Sequence, residues 1–192
     1  METLAATKQG AILRQFQMDS KEEMMKYLTG DNIKPDVYKN VKNIPDLLQI
    51  KAPSLKHLGI LYGEVWVIAF LNKLIIEAIS FFNIGKNMDD RQVFETSTLI
   101  MYNYPSIKIQ EIHFIFMEAK KLKYGILYDR LDGAIIFEWF NKYWEERLSV
   151  AETLSYQDHI SSKERSGDSY TLSLLDREHL LKVKVFENKV KF

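Results

Sequence analysis

The chain has 192 residues, of which 26 are Lys or Arg and 26 are Asp or Glu, so its formal net charge is zero. A balanced charge argues against a strongly basic nucleic-acid coat protein, although a local basic patch is compatible with it. The sequence contains no Cys, which excludes a disulfide scaffold, a thiolate zinc site and a thiol nucleophile.

The first residues predict no targeting or membrane segment. Residues 1–6 lack the basic start and apolar core of a secretory signal. The strongest membrane candidate, residues 58–82, is interrupted by charged and polar side chains, and its longest apolar run covers only residues 65–71. A membrane-spanning helix needs about 20 apolar residues. We therefore interpret this segment as a buried core helix, and expect no membrane partner and a cytoplasmic location.

Residues 1–53 are predicted to form an N-terminal helical segment. Residues 1–18 have a loose helical pattern of apolar side chains. Ser20 and Glu23 form a capping-box pattern that opens a short helix ending near Leu28. Three of the four Pro residues follow between positions 33 and 53, which favours short helices joined by kinks, such as residues 45–50.

Residues 54–152 are predicted to form the helical core domain, beginning with Ser54 as a helix cap. From about Ile60 to Phe82 the apolar residues surround nearly the whole helix, which is typical of a central helix in a bundle. Asp89 or Asp90 opens the next helix. Its predicted inner side comprises Val93, Phe94, Thr98, Leu99, Ile100 and Met101, and Tyr104-Pro105 ends it.

Two further helices complete the predicted core. Ser106 is expected to cap a helix whose apolar residues run from Ile109 to Leu122 at helical spacing. A loop over residues 123–130 follows, with Gly125 as the expected C-terminal cap, and Asp132 starts the last strong helix. Four aromatic residues of that helix share one face and are expected in the core, with Phe137 off this face: Trp139, Phe140, Tyr143 and Trp144. Trp66 and Trp139 are predicted to be equally important core residues.

Residues 153–192 are predicted to form a polar tail. Residues 155–173 have the composition of a linker or a disordered segment. Residues 182–185 alternate between Lys and Val, which favours a short strand, and a docking helix is an equal alternative. The whole sequence thus predicts an all-α fold, an irregular helical bundle with a central hydrophobic helix and a polar C-terminal tail.

Signatures of catalysis are missing from the sequence. The four His residues are too far apart for a metal pair at helical spacing. Glu111 and His113 are the nearest approach to a site, but on one helix their side chains point about 200° apart. We expect His113 to be a surface or partly buried residue. We predict no enzyme activity, no catalytic residue, no metal and no cofactor.

The most distinctive local composition lies at residues 120–130. Four cations, two Tyr and one Gly make up the candidate contact site for a partner or nucleic acid: Lys120, Lys121, Lys123, Tyr124, Gly125, Tyr128 and Arg130. One interpretation is that the cations stabilise the C-terminal end of a helix dipole while both Tyr pack against neighbouring helices. The other is a contact surface on which the cations bind phosphate or a protein partner and the Tyr residues stack.

The layout of residues 89–147 resembles a known group of proteins. Tyr104-Pro105 precedes a helix, the loop 121–133 carries Lys-Tyr-Gly and Tyr128, and the next helix carries Trp139, Tyr143 and Arg147. It is similar to mostly uncharacterised small helical proteins of phages and mobile elements of gut anaerobes. In that group a small residue is expected where Leu122 stands here. The layout also looks like the helical N-terminal domain of phage helicase loaders.

The resemblance implies a non-enzymatic phage or mobile-element accessory protein. Its first expected role is a replication adaptor that contacts a helicase or DNA, in the cytoplasm of a bacterial host. The alternative is a virion or connector structural protein that assembles into an oligomer. In both cases a protein partner is expected, either a helicase or further copies of the chain, and direct DNA contact is an open alternative.

Overall fold

A computed structural model describes residues 2–16, 21–29 and 39–165. Within these ranges the protein has eight helices and no strand, which confirms the predicted all-α fold. One compact unit covers Met1–Glu146 and a second begins at Arg147. The helices are α1 (Glu2–Gln15), α2 (Lys21–Thr29), α3 (Ile44–Gln49), α4 (Leu55–Tyr62), α5 (Glu64–Ile79), α6 (Asp90–Asn103), α7 (Ile109–Lys120) and α8 (Gly133–Arg165).

The short helices of the N-terminal segment lie where the sequence predicts them. Helix α3 begins at Asn43, whose side chain accepts a hydrogen bond from the backbone N–H of Asp46 (3.1 Å). The Asp46 carboxylate in turn accepts from the backbone N–H of Asn43 (3.3 Å), and Pro45 stands in the first turn. This reciprocal cap satisfies two of the free N–H groups at a helix start. Ser20, the predicted cap of α2, lies outside the described residues.

The predicted single helix from Ile60 to Phe82 is wrong, because the chain forms α4 and α5 with a break at Gly63. Gly63 has a φ of 91°, a conformation that is strained for residues with a β-carbon. Ser54 caps α4 as predicted, since its hydroxyl accepts from the backbone N–H of His57 (3.5 Å). The His57 Nδ1 accepts from the backbone N–H of Ser54 (3.4 Å), which completes a capping box with His in the place usually taken by Glu.

The hydrophobic helix α5 is buried on one side and open on the other. Val67, Leu71 and Ile75 are buried, whereas Val65 is 82% exposed and Ile76 is about half exposed. The expectation of a helix enclosed on nearly all sides is therefore wrong for α5. It packs mainly against α4 and α6.

Helix α6 begins at Asp89 as predicted, with its carboxylate accepting from the backbone N–H of Gln92 (2.7 Å). Its predicted inner side is partly wrong, because Phe94 and Leu99 are exposed by about half. The small polar residues Thr96 and Ser97 are buried in their place. The helix ends at Tyr104, before Pro105, as predicted.

Helix α7 is the most enclosed helix of the described chain, since residues 109–116 are all buried. It begins after Lys108 rather than at the predicted cap Ser106. The reason is that the segment before it pairs with the start of α4, where Leu55 N–H donates to the Ile107 carbonyl (2.9 Å) and Lys56 N–H donates to the Pro105 carbonyl (2.8 Å).

Lys108 and Glu111 connect the start of α7 to two other helices. The Lys108 ammonium donates to three carbonyls at the end of α3: Leu47 (3.1 Å), Leu48 (3.1 Å) and Ile50 (2.7 Å). The Lys108 backbone N–H donates to the Glu111 carboxylate (2.9 Å), and the hydroxyl of Tyr143 on α8 donates to its other oxygen (2.6 Å). Glu111 and Tyr143 are fully buried, so these hydrogen bonds hold polar groups that would be costly to leave unpaired.

Helix α8 begins at Asp132 as predicted, since the Asp132 carboxylate accepts from the backbone N–H of Ile135 (3.1 Å). Trp139, Phe140 and Tyr143 are buried as expected. Phe137 is partly exposed, and its ring lies 6.3 Å from that of Tyr104.

The predicted linker is wrong for residues 155–165, because α8 continues to Arg165. The hydroxyls of Ser161 and Ser162 each donate to the carbonyl four residues earlier (2.9 and 2.8 Å), so these residues adapt to a helix despite their low preference for one. The predicted strand at residues 182–185 lies outside the described residues. Among the described helices, none has a stretch long and apolar enough to span a bilayer.

Replacing Trp139 by Ala is expected to lower the free energy of unfolding by about 3–5 kcal/mol, the usual cost of removing a buried large aromatic side chain. Trp139 is 3% exposed. Trp66 is only partly buried and stacks on Phe70 (5.2 Å between centroids), so Trp66→Ala should cost clearly less, contrary to the equal cost that the sequence suggests. Urea unfolding of both variants tests this order, and a larger loss for Trp66→Ala would contradict it.

The capping box of α4 is expected to weaken in mild acid. Burial lowers the pKa of His57 below its usual 6.5, and Lys56 adds a smaller effect in the same direction. The folded state therefore prefers the neutral imidazole. The stability that His57 contributes is fully present above the pKa that this residue has in the unfolded chain, and it is lost as the pH falls through the lower pKa of the folded state. His57→Gln keeps a capping side chain that does not titrate. The wild type should lose more stability than this variant between neutral and mildly acidic pH in urea unfolding, and identical pH profiles would contradict the prediction.

Candidate functional site

Six of the seven predicted contact residues lie in the loop that follows α7, and the seventh, Lys120, is the last residue of α7. We call residues 120–130 the contact loop. Its backbone is fixed near both ends. The Lys142 ammonium on α8 donates to the Tyr124 carbonyl (2.7 Å). At the far end Lys86 N–H donates to the Asp129 carbonyl (3.1 Å), and Leu131 N–H donates to the Lys86 carbonyl (3.0 Å). The backbone of the loop is therefore held by a side chain of α8 and by backbone hydrogen bonds to Lys86.

Leu122, and not the predicted Gly125, makes the turn that ends α7. Leu122 N–H donates to the Ala119 carbonyl (2.9 Å), and Lys123 N–H donates to the Glu118 carbonyl (3.1 Å). These two bonds define a Schellman motif, in which the turning residue is left-handed and is usually Gly. Leu122 has a φ of 62°, so a residue with a branched side chain occupies a position where Gly has no steric cost. Gly125 also has a positive φ, of 131°, but it lies three residues further on.

The cations of the contact loop lie beside groups of the protein itself. Lys121 Nζ is 2.8 Å from Glu118, Lys123 Nζ is 2.7 Å from Glu146, Arg130 Nε is 3.5 Å from Asp132, and Lys120 Nζ lies 5.0 Å from the ring centroid of Phe81. The loop therefore carries balanced charge rather than a positive patch. These pairs do not decide between the two interpretations, so the helix-end role and the contact surface both stay predictions.

The two Tyr residues of the loop have opposite surroundings. Tyr124 is 4% exposed, and burial raises the pKa of its hydroxyl strongly, with smaller contributions from Glu146 and Glu118. Its ring therefore offers no open face to a stacking ligand. Tyr128 is 87% exposed, and nearby Ile126 is 68% exposed. Of the two predicted stacking residues, only Tyr128 is available on the surface.

A cleft of about 280 Å³ lies between the contact loop and the first turns of α8. Ile135 and Trp139 contribute apolar surface from α8, and Ile126 and Tyr128 contribute it from the loop. Arg130 and Glu138 bring charges of opposite sign to the same cleft. Ile126, Ile135 and Glu138 are not among the predicted contact residues, because the cleft arises only where the loop packs on the helix and no sequence spacing signals it.

Glu111 and His113 lie away from the cleft lining. His113 is buried, where the sequence suggests a surface or partly buried residue, and Glu111 is enclosed by its bonds to α7 and α8. No group of three or more His, Asp or Glu side chains within the described ranges is placed to hold a metal ion.

Comparison of the chain with protein-family models, with curated proteins and with solved structures gave no match. Function therefore has to be inferred from the contact loop and its cleft.

Leu122→Gly is expected to stabilise the protein by about 1 kcal/mol. It removes the steric cost of a left-handed non-glycine residue, about 1–2 kcal/mol. Part of this gain is offset, because Gly loses more backbone entropy on folding. The Leu122 side chain is about half exposed, so little packing is lost. Gly is harmless only at the turning residue, so Lys121→Gly serves as a matched control that should not stabilise. Thermal unfolding measures both, and a lower melting temperature for Leu122→Gly would contradict the assignment of the turn.

Proposed function

We propose that the protein is a non-enzymatic adaptor that binds another protein through the contact loop. The observation that carries this proposal is the exposure of Tyr128 and Ile126 on a loop whose backbone is fixed beside a cleft. Exposed aromatic side chains on a fixed framework are favourable anchors for a partner, because little conformational entropy is lost when they are buried. Aromatic residues are also enriched in protein interfaces.

The charges of the loop favour a protein partner over DNA. Binding to a phosphate backbone gains affinity from cations that displace counterions. Lys121, Lys123 and Arg130 already lie within 4 Å of carboxylates, so DNA would have to compete with these acids. One exposed aromatic residue is also fewer than the series of stacking positions typical of single-strand binding.

The resemblance to phage and mobile-element proteins gives this proposal its biological setting. The adaptor would act in DNA replication in a bacterial host, with a helicase as the partner at the contact loop. A virion or connector subunit is the second candidate, and it is favoured only if the loop holds further copies of the chain. Both roles use the same surface, so the identity of the bound protein distinguishes them.

The absence of Cys allows a direct test, because Tyr128→Cys introduces the only thiol of the chain. A photocrosslinker attached there should give a defined protein adduct in cells that carry the protein's natural genetic surroundings. The expected adduct is identified by mass spectrometry. Lys51→Cys, at another exposed position, is the control and should give no such adduct.

The outcome also separates protein from nucleic acid. If DNA is the partner, the adduct contains DNA, and replacing Lys120, Lys121, Lys123 and Arg130 by Gln should abolish salt-dependent binding. If a protein is the partner, duplex and single-stranded oligonucleotides bind the wild type no better than this fourfold variant. Labelling at position 128 that matches the control at position 51 would overturn the adaptor proposal.

A further inference from the structure

We infer that residues 174–192 of this chain bind along the second half of α8, residues 147–165. The inference goes beyond the proposed function, because it concerns a second surface and uses no residue of the contact loop. It is carried by the covered side of α8 and by the composition, charge and length of the chain that follows this helix. Residues 174–192 themselves lie outside the described residues.

The first step is that α8 has a covered side along its second half. Phe140 and Tyr143 are fully buried, and the same helical spacing continues to Val150 and Leu154, which are half-buried. Ile160 is half-buried on the same side. The residues on the opposite side are exposed, namely Leu148, Glu152, Ser155, His159 and Ser162. One side of this part of the helix is therefore covered and the other is open.

The second step is that one helix cannot cover itself. The second compact unit begins at Arg147, and its described part is the helix over residues 147–165 alone. Most of the stability of a helix in a protein comes from packing one face against another element. A further segment is therefore needed on the covered side, and the chain has 27 residues after Arg165.

The third step is that residues 174–192 have the composition and the length for this role. Nine of these 19 residues are apolar. They span about 28 Å as a helix or about 60 Å as a strand, and the 19 residues of the second half of α8 span about 28 Å. Residues 166–173 are enough for the chain to reverse, because connections between packed helices have about 2–8 residues.

The fourth step is that charge favours this segment over other occupants. Between residues 148 and 162, α8 carries Glu152 and Asp158 and no Lys or Arg, so the formal charge of this stretch is −2. Residues 182–192 carry four Lys and one Glu, so their formal charge is +3. A second copy of α8 would bring two negative surfaces together, and a nucleic acid would be repelled in the same way. A basic, apolar segment meets both requirements of this surface.

The absence of Cys allows the covered side of α8 to be compared with its open side. Leu154→Cys places the only thiol of the chain on the half-buried side, and Leu148→Cys places it on the exposed side of the same helix. In the full chain, iodoacetamide should alkylate the thiol at position 154 about tenfold more slowly than the thiol at position 148, because a covered group reacts only when the contact opens locally.

The occupant is then altered within the full chain. Val183→Asp and Val185→Asp, introduced together, add negative charge to an apolar part of the segment, so its contact with α8 should be lost. Alkylation at position 154 should accelerate about tenfold and match that at position 148, which should itself stay unchanged.

A matched control adds the same charges to the connecting residues. Ser166→Asp and Ser169→Asp, introduced together, should leave both alkylation rates as they are in the chain without these changes. The far-ultraviolet circular dichroism of all variants shows whether the helical fold is retained.

A second measurement needs no substitution. A carbodiimide joins a carboxylate and an amine in direct contact as an amide, with loss of water. It should link Glu152 or Asp158 to a Lys of residues 182–191. Mass spectrometry of a mixture of unlabelled and nitrogen-15-labelled chains shows whether each link lies within one chain.

Links within one chain support the proposal, even where Leu154→Cys itself loosens the contact. Equal alkylation of both thiols without such links overturns it, because the covered side is then open to another protein. Slow alkylation at position 154 that persists with Asp at positions 183 and 185 overturns it as well, because another segment covers α8. Links between labelled and unlabelled chains overturn it in favour of a second copy. The adduct at Tyr128→Cys is read separately, so each of these results leaves the adaptor proposal untouched.

Discussion

The arrangement of the helices depends on the hydrogen bonds that pair the buried polar groups at the start of α7. Lys108 and Glu111 stand where an almost completely buried helix begins, and a buried carboxylate without partners would cost several kcal/mol. Here the Glu111 carboxylate accepts hydrogen bonds from the Tyr143 hydroxyl on α8 and from the backbone N–H of Lys108. The Lys108 ammonium donates to the carbonyl of Ile50 at the end of α3. Three helices are thereby fixed to one point. Since the contact loop begins where α7 ends, this point also sets where the loop emerges.

Local capping signals in the sequence were sufficient for several boundaries of the fold. Ser54, Asp89 and Asp132 begin helices as predicted, because each cap depends on side chains within three residues. Ser106 has the same type of side chain and does not begin a helix, because its neighbours pair with the start of α4. An apolar residue is buried only where another element packs against it. Phe94 was predicted on the inner side of α6, yet its side chain is exposed.

The residues of the candidate site could be grouped from the sequence, but which of their side chains are exposed and which are paired could not be predicted. Its residues are consecutive, so any fold would place them near each other. Whether a Tyr is buried depends on distant elements. Tyr124, whose backbone carbonyl accepts from Lys142 of α8, is buried, whereas Tyr128 is exposed. The Phe81 ring, which lies beside Lys120, and Glu146, which pairs with Lys123, are also remote in sequence, and no sequence signal connects them with these cations.

The close contact between the first residue of α8 and α6 couples two positions of the sequence. A β-carbon added to Gly133 would lie 2.4 Å from the Thr96 hydroxyl but 3.7 Å from the Thr96 β-carbon. Ala at position 133 is therefore compatible with Ala at position 96, and incompatible with Thr there unless the Thr side chain rotates. During divergence a larger residue at position 133 is therefore favoured after position 96 has become smaller. In an alignment of related chains, they should vary as a pair even though they are 37 residues apart.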